Sequence, residues 1–388
     1  MLKTSMIRIA PTLTRQYTLS SAGSLKLAGV GVFHCSGRRT ISSSTSKQNG
    51  LSDDRAQAAT VGPHLKQRPS AITTSETQHA HGNAVVTGDW VLFHPVYTPE
   101  ELRAVEVLHR DATCFSDRAA ASLVKLSRWG YDFVTRYKHK KIPPGREMTL
   151  AELRKEGYLL DDKAWLSRIL FLETIAGVPG MVAATIRHLT SLRLMRRDNG
   201  WIHTCLEEAE NERMHLMTFM TLRKPSIFFR AMILGAQGVF YNLFFLSYLI
   251  SPRICHRFVG HLEEEAVLTY TRCIKDIEAG YVPEWSDMPA PQIAIDYWRL
   301  PADAKLLDVI YAVRSDETTH RFVNHSLANL NGKVDVNPFA LREPDMHTKG
   351  KKIAFERSES EAYLKESHKF LQDHHEDLER FDEKTRSS

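Results

Sequence analysis

The chain has 388 residues, 43% of them hydrophobic and 25% charged, enough to bury one large core, although length alone would permit two or three domains. Its 51 Lys and Arg against 46 Asp and Glu leave a formal charge of only +5, which excludes the concentrated positive field of a dedicated nucleic-acid binder. Five cysteines (Cys35, Cys114, Cys205, Cys255 and Cys273) are odd in number, widely spaced and without a Cys-x-x-Cys pair, which excludes a disulfide framework or a thiolate zinc site and suits a reducing compartment.

The first acidic residue is Asp53, whereas Lys3, Arg8, Arg15, Lys26, Arg38, Arg39 and Lys47 precede it among many Ser and Thr. This composition predicts a mitochondrial transit peptide over residues 1–60, and the lack of a compact apolar block near Met1 argues against a secretory signal. Residues 61–95 read as a flexible linker rich in small and polar residues, in which His79 and His81 are solvated, and Trp90, Val91, Leu92, Phe93 and Val96 form an apolar lead-in. Residues 96–330 then carry six predicted helices, at about 113–138, 161–186, 196–222, 225–250, 252–279 and 302–330, with no competing strand alternation. Breakers mark their joints: Pro143-Pro144, Asp198-Asn199-Gly200, Pro225, Ser251-Pro252, and Gly280 followed by Pro283, Pro289, Pro291 and Pro301. The expected class is all-α, a ferritin-like four-helix bundle with two additional helices on a membrane surface. Residues 331–388 read as a charged, partly helical extension at the periphery.

Four of these helices carry acidic motifs. Glu212 and His215 stand at i and i+3 on the third helix, and Glu317 and His320 repeat that spacing on the sixth. The second helix contributes Glu173 within Leu170-Phe171-Leu172-Glu173-Thr174-Ile175, and the fifth contributes Glu263-Glu264-Glu265. One Glu from each of two helices and Glu-x-x-His from each of two others is the ligand inventory of di-metal carboxylate bundles. Any one of these motifs alone is more often a solvated helix face. Glu173, however, shares its face with Leu166, Ile169, Leu170, Gly177 and Gly180, where an unpaired carboxylate is costly. Two divalent cations balance four carboxylates, whereas four metal-free carboxylates repel and take up protons. Helical phase places Glu263 with Val259, Val267, Tyr270 and Ile274, and Glu265 with Arg272 and Asp276, so Glu263 is the expected ligand. Spacing leaves Asp316 open as a ligand or as a group that orients a ligand histidine. Mixed carboxylate and imidazole donors suit iron or manganese.

Together Leu172-Glu173-Thr174, Asn211-Glu212-Arg213-Met214-His215-Leu216, Leu262-Glu263-Glu264-Glu265-Ala266 and Arg314-Ser315-Asp316-Glu317-Thr318-Thr319-His320 resemble the four signatures of the mitochondrial alternative oxidases, over roughly Trp90 to Leu330. Ser315 departs from the pattern, since many members have Ala there. The resemblance implies cyanide-insensitive oxidation of ubiquinol, with dioxygen reduced to water at a non-haem centre of two iron ions. It implies Glu173, Glu212, His215, Glu263, Glu317 and His320 as ligands, Tyr270 as a catalytic tyrosine, and Arg146, Arg168, Leu172, Glu265, Ala266 and Thr269 around the quinol. It also implies a homodimer on the matrix side of the inner membrane, without proton pumping. Family members under thiol control place a Cys ahead of the bundle; Cys35 leaves with the transit peptide, and Cys114 is the nearest substitute.

Residues 227–250 carry a single charge, Arg230, and reach the roughly 20 residues that span a bilayer. A spanning layout would separate Glu173 from Glu212, yet all ligands must reach within about 2 Å of a metal. The fourth helix is therefore expected to lie along the bilayer surface. The first helix fits the same picture, with Leu123, Leu126, Trp129, Phe133 and Tyr137 recurring beside Arg118, Lys125, Arg128, Arg136, Lys138, Lys140 and Lys141. Two other classes answer to part of this pattern: another di-iron enzyme (a quinone-ring hydroxylase or plastid-type terminal oxidase), and a metal-free membrane scaffold in which Glu173 pairs with an arginine such as Arg168.

Overall fold

The computed structural model describes residues 96–135, 140, 142 and 148–386. The transit-peptide and linker expectations lie outside the described residues, as do Arg136, Tyr137, Lys138 and Lys141 of the first predicted helix. The described chain is all-α: α1 (Pro99–Arg103), α2 (Phe115–Thr135), α3 (Leu150–Lys155), α4 (Asp162–Leu194), α5 (Trp201–Met220), α6 (Ile227–Ile250), α7 (Pro252–Glu278), α8 (Gln292–Trp298), α9 (Leu306–Leu327), α10 (Met346–Lys349) and α11 (Arg357–Arg386).

The six predicted helices are α2, α4, α5, α6, α7 and α9, with shifted ends. α4 runs to Leu194 rather than 186 because nothing before the Asp198-Asn199-Gly200 joint breaks it; even Pro179 lies inside the helix. Asp161 caps its start by accepting from the Ala164 N–H at 2.7 Å. α5 begins at Trp201 because Asn199 and Gly200 take the left-handed region, with φ of 57° and 83°. α9 starts at Leu306 since the preceding residues return to the bundle, the Ala290 N–H donating to the Ala304 carbonyl at 2.8 Å.

α4 packs mainly on α5, and α7 on α9; α6 lies against α4 and α7, and α2 against α7. Glycine sets the closeness of the first pair: a Cβ on Gly180 would stand 2.5 Å from the Cys205 carbonyl oxygen, and one on Gly177 3.5 Å from Glu212 Cβ. Any larger residue at Gly180 would push α4 from α5, and with it Glu173 from Glu212. Around one end of the bundle, Trp165, Ile169, Leu170, Phe219, Ile274, Trp285, Trp298, Val309 and Val313 close a core in which each large side chain contributes roughly 1.5–3 kcal/mol.

The two outer helices present apolar faces outward. On α2, Ala120 and Val124 face the bundle while Leu123, Leu126, Trp129 and Phe133 are 48%, 61%, 65% and 72% exposed. α6 exposes Ile227, Phe228, Leu234, Val239, Leu243, Leu246, Leu249 and Ile250, and buries only Phe244 and Tyr248. Within the extension after residue 330, Phe339 and Tyr363 join Trp201, Phe322 and Val323 in a third cluster, with Phe355 against it, and Arg342 stands 4.7 Å over the Tyr363 ring. This segment thus contributes core as well as charge.

Candidate metal centre

α4 brings Glu173, α5 Glu212 and His215, α7 Glu263, and α9 Glu317 and His320 into the interior, all buried. Donor atoms of Glu173, Glu212, His215 and Glu317 lie within 4.8 Å of one another, and so do those of Glu212, Glu263, Glu317 and His320. The two sets share Glu212 and Glu317. His215 Nδ1 stands 3.4 Å from Glu173, 3.5 Å from Glu212 and 3.3 Å from Glu317, and His320 Nδ1 stands 2.7 Å from Glu212. Yet Glu173 Oε2, both Glu212 carboxylate oxygens, His215 Nδ1 and His320 Nδ1 are buried without a hydrogen-bond partner of acceptable geometry. Convergent, orphaned donors of this kind are where a cation satisfies what the protein leaves unpaired.

Charge leads to the same conclusion. Burial pushes the Glu173 carboxyl up to about 8, and burial with the nearby Glu317 and Glu212 charges raises Glu263 well above the carboxylate range. Burial works against an ionised Glu212 as well, but His215 and His320 beside it hold it low. Burial alone would lower His215 and His320, yet the surrounding carboxylates, with Asp316 for His215, raise both. Cations at these donors would replace the protons that Glu173 and Glu263 otherwise hold, and the N/O donor set suits iron or manganese.

Asp316 does not coordinate in this arrangement. Its Oδ2 lies 3.0 Å from His215 Nε2 and accepts from Asn211 Nδ2 at 3.0 Å and Trp298 Nε1 at 2.9 Å, and Oδ1 accepts from the Tyr97 hydroxyl at 2.5 Å. His215 Nε2 therefore carries the hydrogen and Nδ1 faces the carboxylates. Sequence spacing had left Asp316 open, and it gave no sign of Tyr97 or Trp298, which arrive from other segments. Tyr270 donates to Glu173 Oε1 and stacks at 6.5 Å on Phe219. Ser315 donates to the Tyr311 carbonyl one turn back, so its hydroxyl is satisfied.

The three consecutive glutamates of α7 go separate ways. Glu263 faces the centre. Glu264 accepts from the Arg110 N–H at 3.1 Å and meets His109 at 3.1 Å, His261 at 3.0 Å and His325 at 2.7 Å. His261, Glu264 and His325 make a further cluster of metal-ligand type, but His325 Nδ1 lies 2.9 Å from the Arg257 guanidinium, which only donates. That contact forces the hydrogen onto Nε2, the atom facing Glu264, and leaves it no lone pair for a metal. Glu265 pairs with Arg128 of α2. Of the remaining expected quinol residues, Arg168 and Thr269 are buried, Leu172 and Ala266 half-buried, and Arg146 lies outside the described residues. Arg168 turns to Asp132 at 3.6 Å and stands 4.9 Å over the Tyr131 ring, so the Glu173–Arg168 pair of the scaffold alternative is not formed.

The profile of the family described as alternative oxidase matches residues 97–329. The mitochondrial alternative oxidase of Cryptococcus neoformans var. grubii is 56% identical over 314 residues, covering 80% of this chain and 77% of its own. That of Aspergillus niger is 48% identical over 319 residues, covering 81% and 86%.

Proposed function

The chain belongs to the alternative oxidase family, and from that membership we propose that it is a ubiquinol:oxygen oxidoreductase of the mitochondrial inner membrane, reducing dioxygen to water at a di-iron centre. The observation that carries this reading is the convergence of six buried side chains as two four-donor sets sharing Glu212 and Glu317. Glu173, Glu212, His215, Glu263, Glu317 and His320 would hold the metals, Glu212 and Glu317 being common to both donor sets. The iron pair, when bound, supplies the one-electron chemistry that no protein side chain provides on its own.

The protein's own groups hold, orient and exclude. Asp316 fixes the His215 tautomer and ring plane through Nε2. Tyr270, buried, keeps a hydroxyl proton one hydrogen bond from Glu173, from where it would supply a proton or electron to dioxygen reduction. On the side of the bundle toward α2, Arg168, Glu265 and Thr269 offer polar partners to the quinol oxygens beside Leu172 and Ala266, and Arg146 completes the set that the resemblance implies. Two quinols give up four electrons and four protons to convert one dioxygen to two waters, and the quinones leave.

The outward faces of α2 and α6 support a monotopic attachment to the matrix side of the membrane, where a lipid-soluble quinol reaches Arg168 and Glu265 without crossing water. Among the described residues, α4 and α6 are the two helices long and apolar enough to span a bilayer. α4 holds Glu173 and half of its apolar window is buried, which suits a bundle helix rather than a span. Exposed Met181, Leu189 and Leu192 of α4 with Leu206 and Met217 of α5 offer a surface for a second copy, the homodimer expected from the family. A protein attached to one face of the bilayer carries no protons across it, so turnover is expected to move none across sealed vesicles.

The deciding assay uses the purified full chain. It is expected to hold about two irons per chain and to consume oxygen with ubiquinol in the presence of cyanide, both properties being lost in Glu212→Ala. A folded, iron-free chain without quinol-driven uptake would favour the scaffold instead.

A further inference from the structure

The donor set formed by Glu173, Glu212, His215 and Glu317 meets an oxidisable ring at two of its members. Tyr270 donates to Glu173. Against His215 lies Trp298 of α8, 1% exposed, its indole 5.9 Å from the imidazole between ring centres and within 19° of parallel. Its Nε1 donates at 2.9 Å to Asp316 Oδ2, the same oxygen that stands 3.0 Å from His215 Nε2. Indole, imidazole and carboxylate thus close a triangle in which two rings are in face contact and one buried negative charge serves both. Tyr297 stands edge-on to the indole at 4.9 Å, with its hydroxyl held by Asn211 Nδ2 at 2.9 Å.

Asp316 already accepts from Tyr97 and Asn211, which occupy both of its oxygens, so holding Asp316 does not by itself call for an indole. What an indole adds is an electron it gives up readily, in π contact with a metal-ligand ring, and a carboxylate on its N–H steadies the positive charge left behind in a site closed to water. We propose that Trp298 is an electron donor to the metal centre, used when dioxygen is being reduced and the second quinol has not yet arrived. The inference rests on reading the six buried Glu and His as di-iron ligands. Dioxygen takes four electrons to become two waters and each quinol brings two, so every turnover has a point at which the reaction waits on a second quinol. There the indole gives one electron through the His215 ring. Trp298 becomes a radical cation whose Nε1 proton stays in the hydrogen bond to Asp316, and the proton that joins the oxygen comes from the first quinol. Of the two electrons of the second quinol, one restores Trp298 and one completes the reduction, so the total per dioxygen is unchanged. The loan keeps a strong oxidant from drawing its electrons from the ligands themselves.

The test takes the iron-loaded full chain, reduced and freed of quinol, mixes it rapidly with dioxygen, and reads frozen samples by electron paramagnetic resonance. Unaltered protein carrying ring-deuterated tryptophan is expected to give a narrower radical signal than unlabelled protein. Trp298→Phe, which keeps a flat ring against His215, is expected to lose that signal. A radical narrowed only by ring-deuterated tyrosine, or a tryptophan signal that survives Trp298→Phe, would overturn the proposal. The second readout is self-inactivation. With quinol limiting, Trp298→Phe should complete several-fold fewer turnovers than the unaltered chain, with oxygen atoms added to the ligand-bearing peptides by mass spectrometry, and with quinol saturating the difference should shrink. Equal loss at both quinol levels would make Trp298 a structural prop for Asp316 and nothing more. An unaltered chain that binds no iron or takes up no dioxygen would sink the di-iron reading and this proposal with it; iron bound and dioxygen consumed with no tryptophan radical would sink the proposal alone.

Discussion

Asp316 shows how much of a metal centre is made by residues that need never touch the metal. Four donors from three other segments (Tyr97 ahead of α1, Asn211 and His215 of α5, and Trp298 of α8) converge on its two oxygens, which fixes where the hydrogen of His215 sits. Asp316→Asn keeps the volume but loses the charge that holds the Nε2 hydrogen, and iron affinity, read by competition with a chelator, should fall about tenfold to a hundredfold. Tyr270→Phe makes the opposite separation. Removing one hydroxyl leaves the six ligands in place, so iron content should persist while quinol-driven oxygen uptake drops by about a hundredfold or more.

At the scale of elements, helix contacts decide which side chains meet. α4 approaches α5 closely enough for Glu173 to stand over Glu212 because Gly180 carries no Cβ. Gly180→Leu should cost about 1–3 kcal/mol in thermal unfolding and reduce the bound iron along with it. α6 has the composition of a membrane span but works as a covering helix: Leu234 and Leu246 are 72% and 58% exposed, pointing away from the bundle. Changing both to Glu should leave the fold intact and lower partitioning onto inner-membrane-like vesicles by about a hundredfold or more, as measured by flotation. A protease-protected fragment containing α6 in sealed vesicles would contradict the surface placement.

For the whole molecule, the buried carboxylates couple stability to metal and to pH. Glu173 has its carboxyl raised from 4.5 to about 8 in the folded chain, so above the ordinary carboxylate range the unfolded chain releases a proton that the folded one keeps. The metal-free fold therefore loses stability as pH rises through that window, at up to about 1.4 kcal/mol per unit for this group, and Glu263 adds in the same direction. Glu212 acts oppositely, its stabilising contribution being lost only as pH falls below the ordinary carboxylate range. Bound cations take the place of those protons. Calorimetry should show the gap in Tm between iron-loaded and iron-free protein widening from pH 5.5 to 8. The segment after residue 330 also belongs to this balance: Phe339→Ala, at a fully buried position, should destabilise the protein by about 3–5 kcal/mol.

The sequence by itself determined the all-α class, the six main helices to within a few residues at most ends, and the identity of the six converging Glu and His residues. Each of these is a periodic or residue-type property, in which i and i+3 place Glu212 with His215 and phase separates Glu263 from its neighbours. What only the tertiary structure decided were relations between segments distant along the chain: the meeting of Tyr97 and Trp298 at Asp316, the docking of Phe339 on Trp201 and Phe322, the separate anchoring of Glu264, and the inward turn of Arg128 and Asp132 toward Arg168 and Glu265. A helical wheel shows that a charge lies on a stripe. Whether that stripe meets lipid, water or an opposite charge depends on the element packed against it, and no local pattern carries that information.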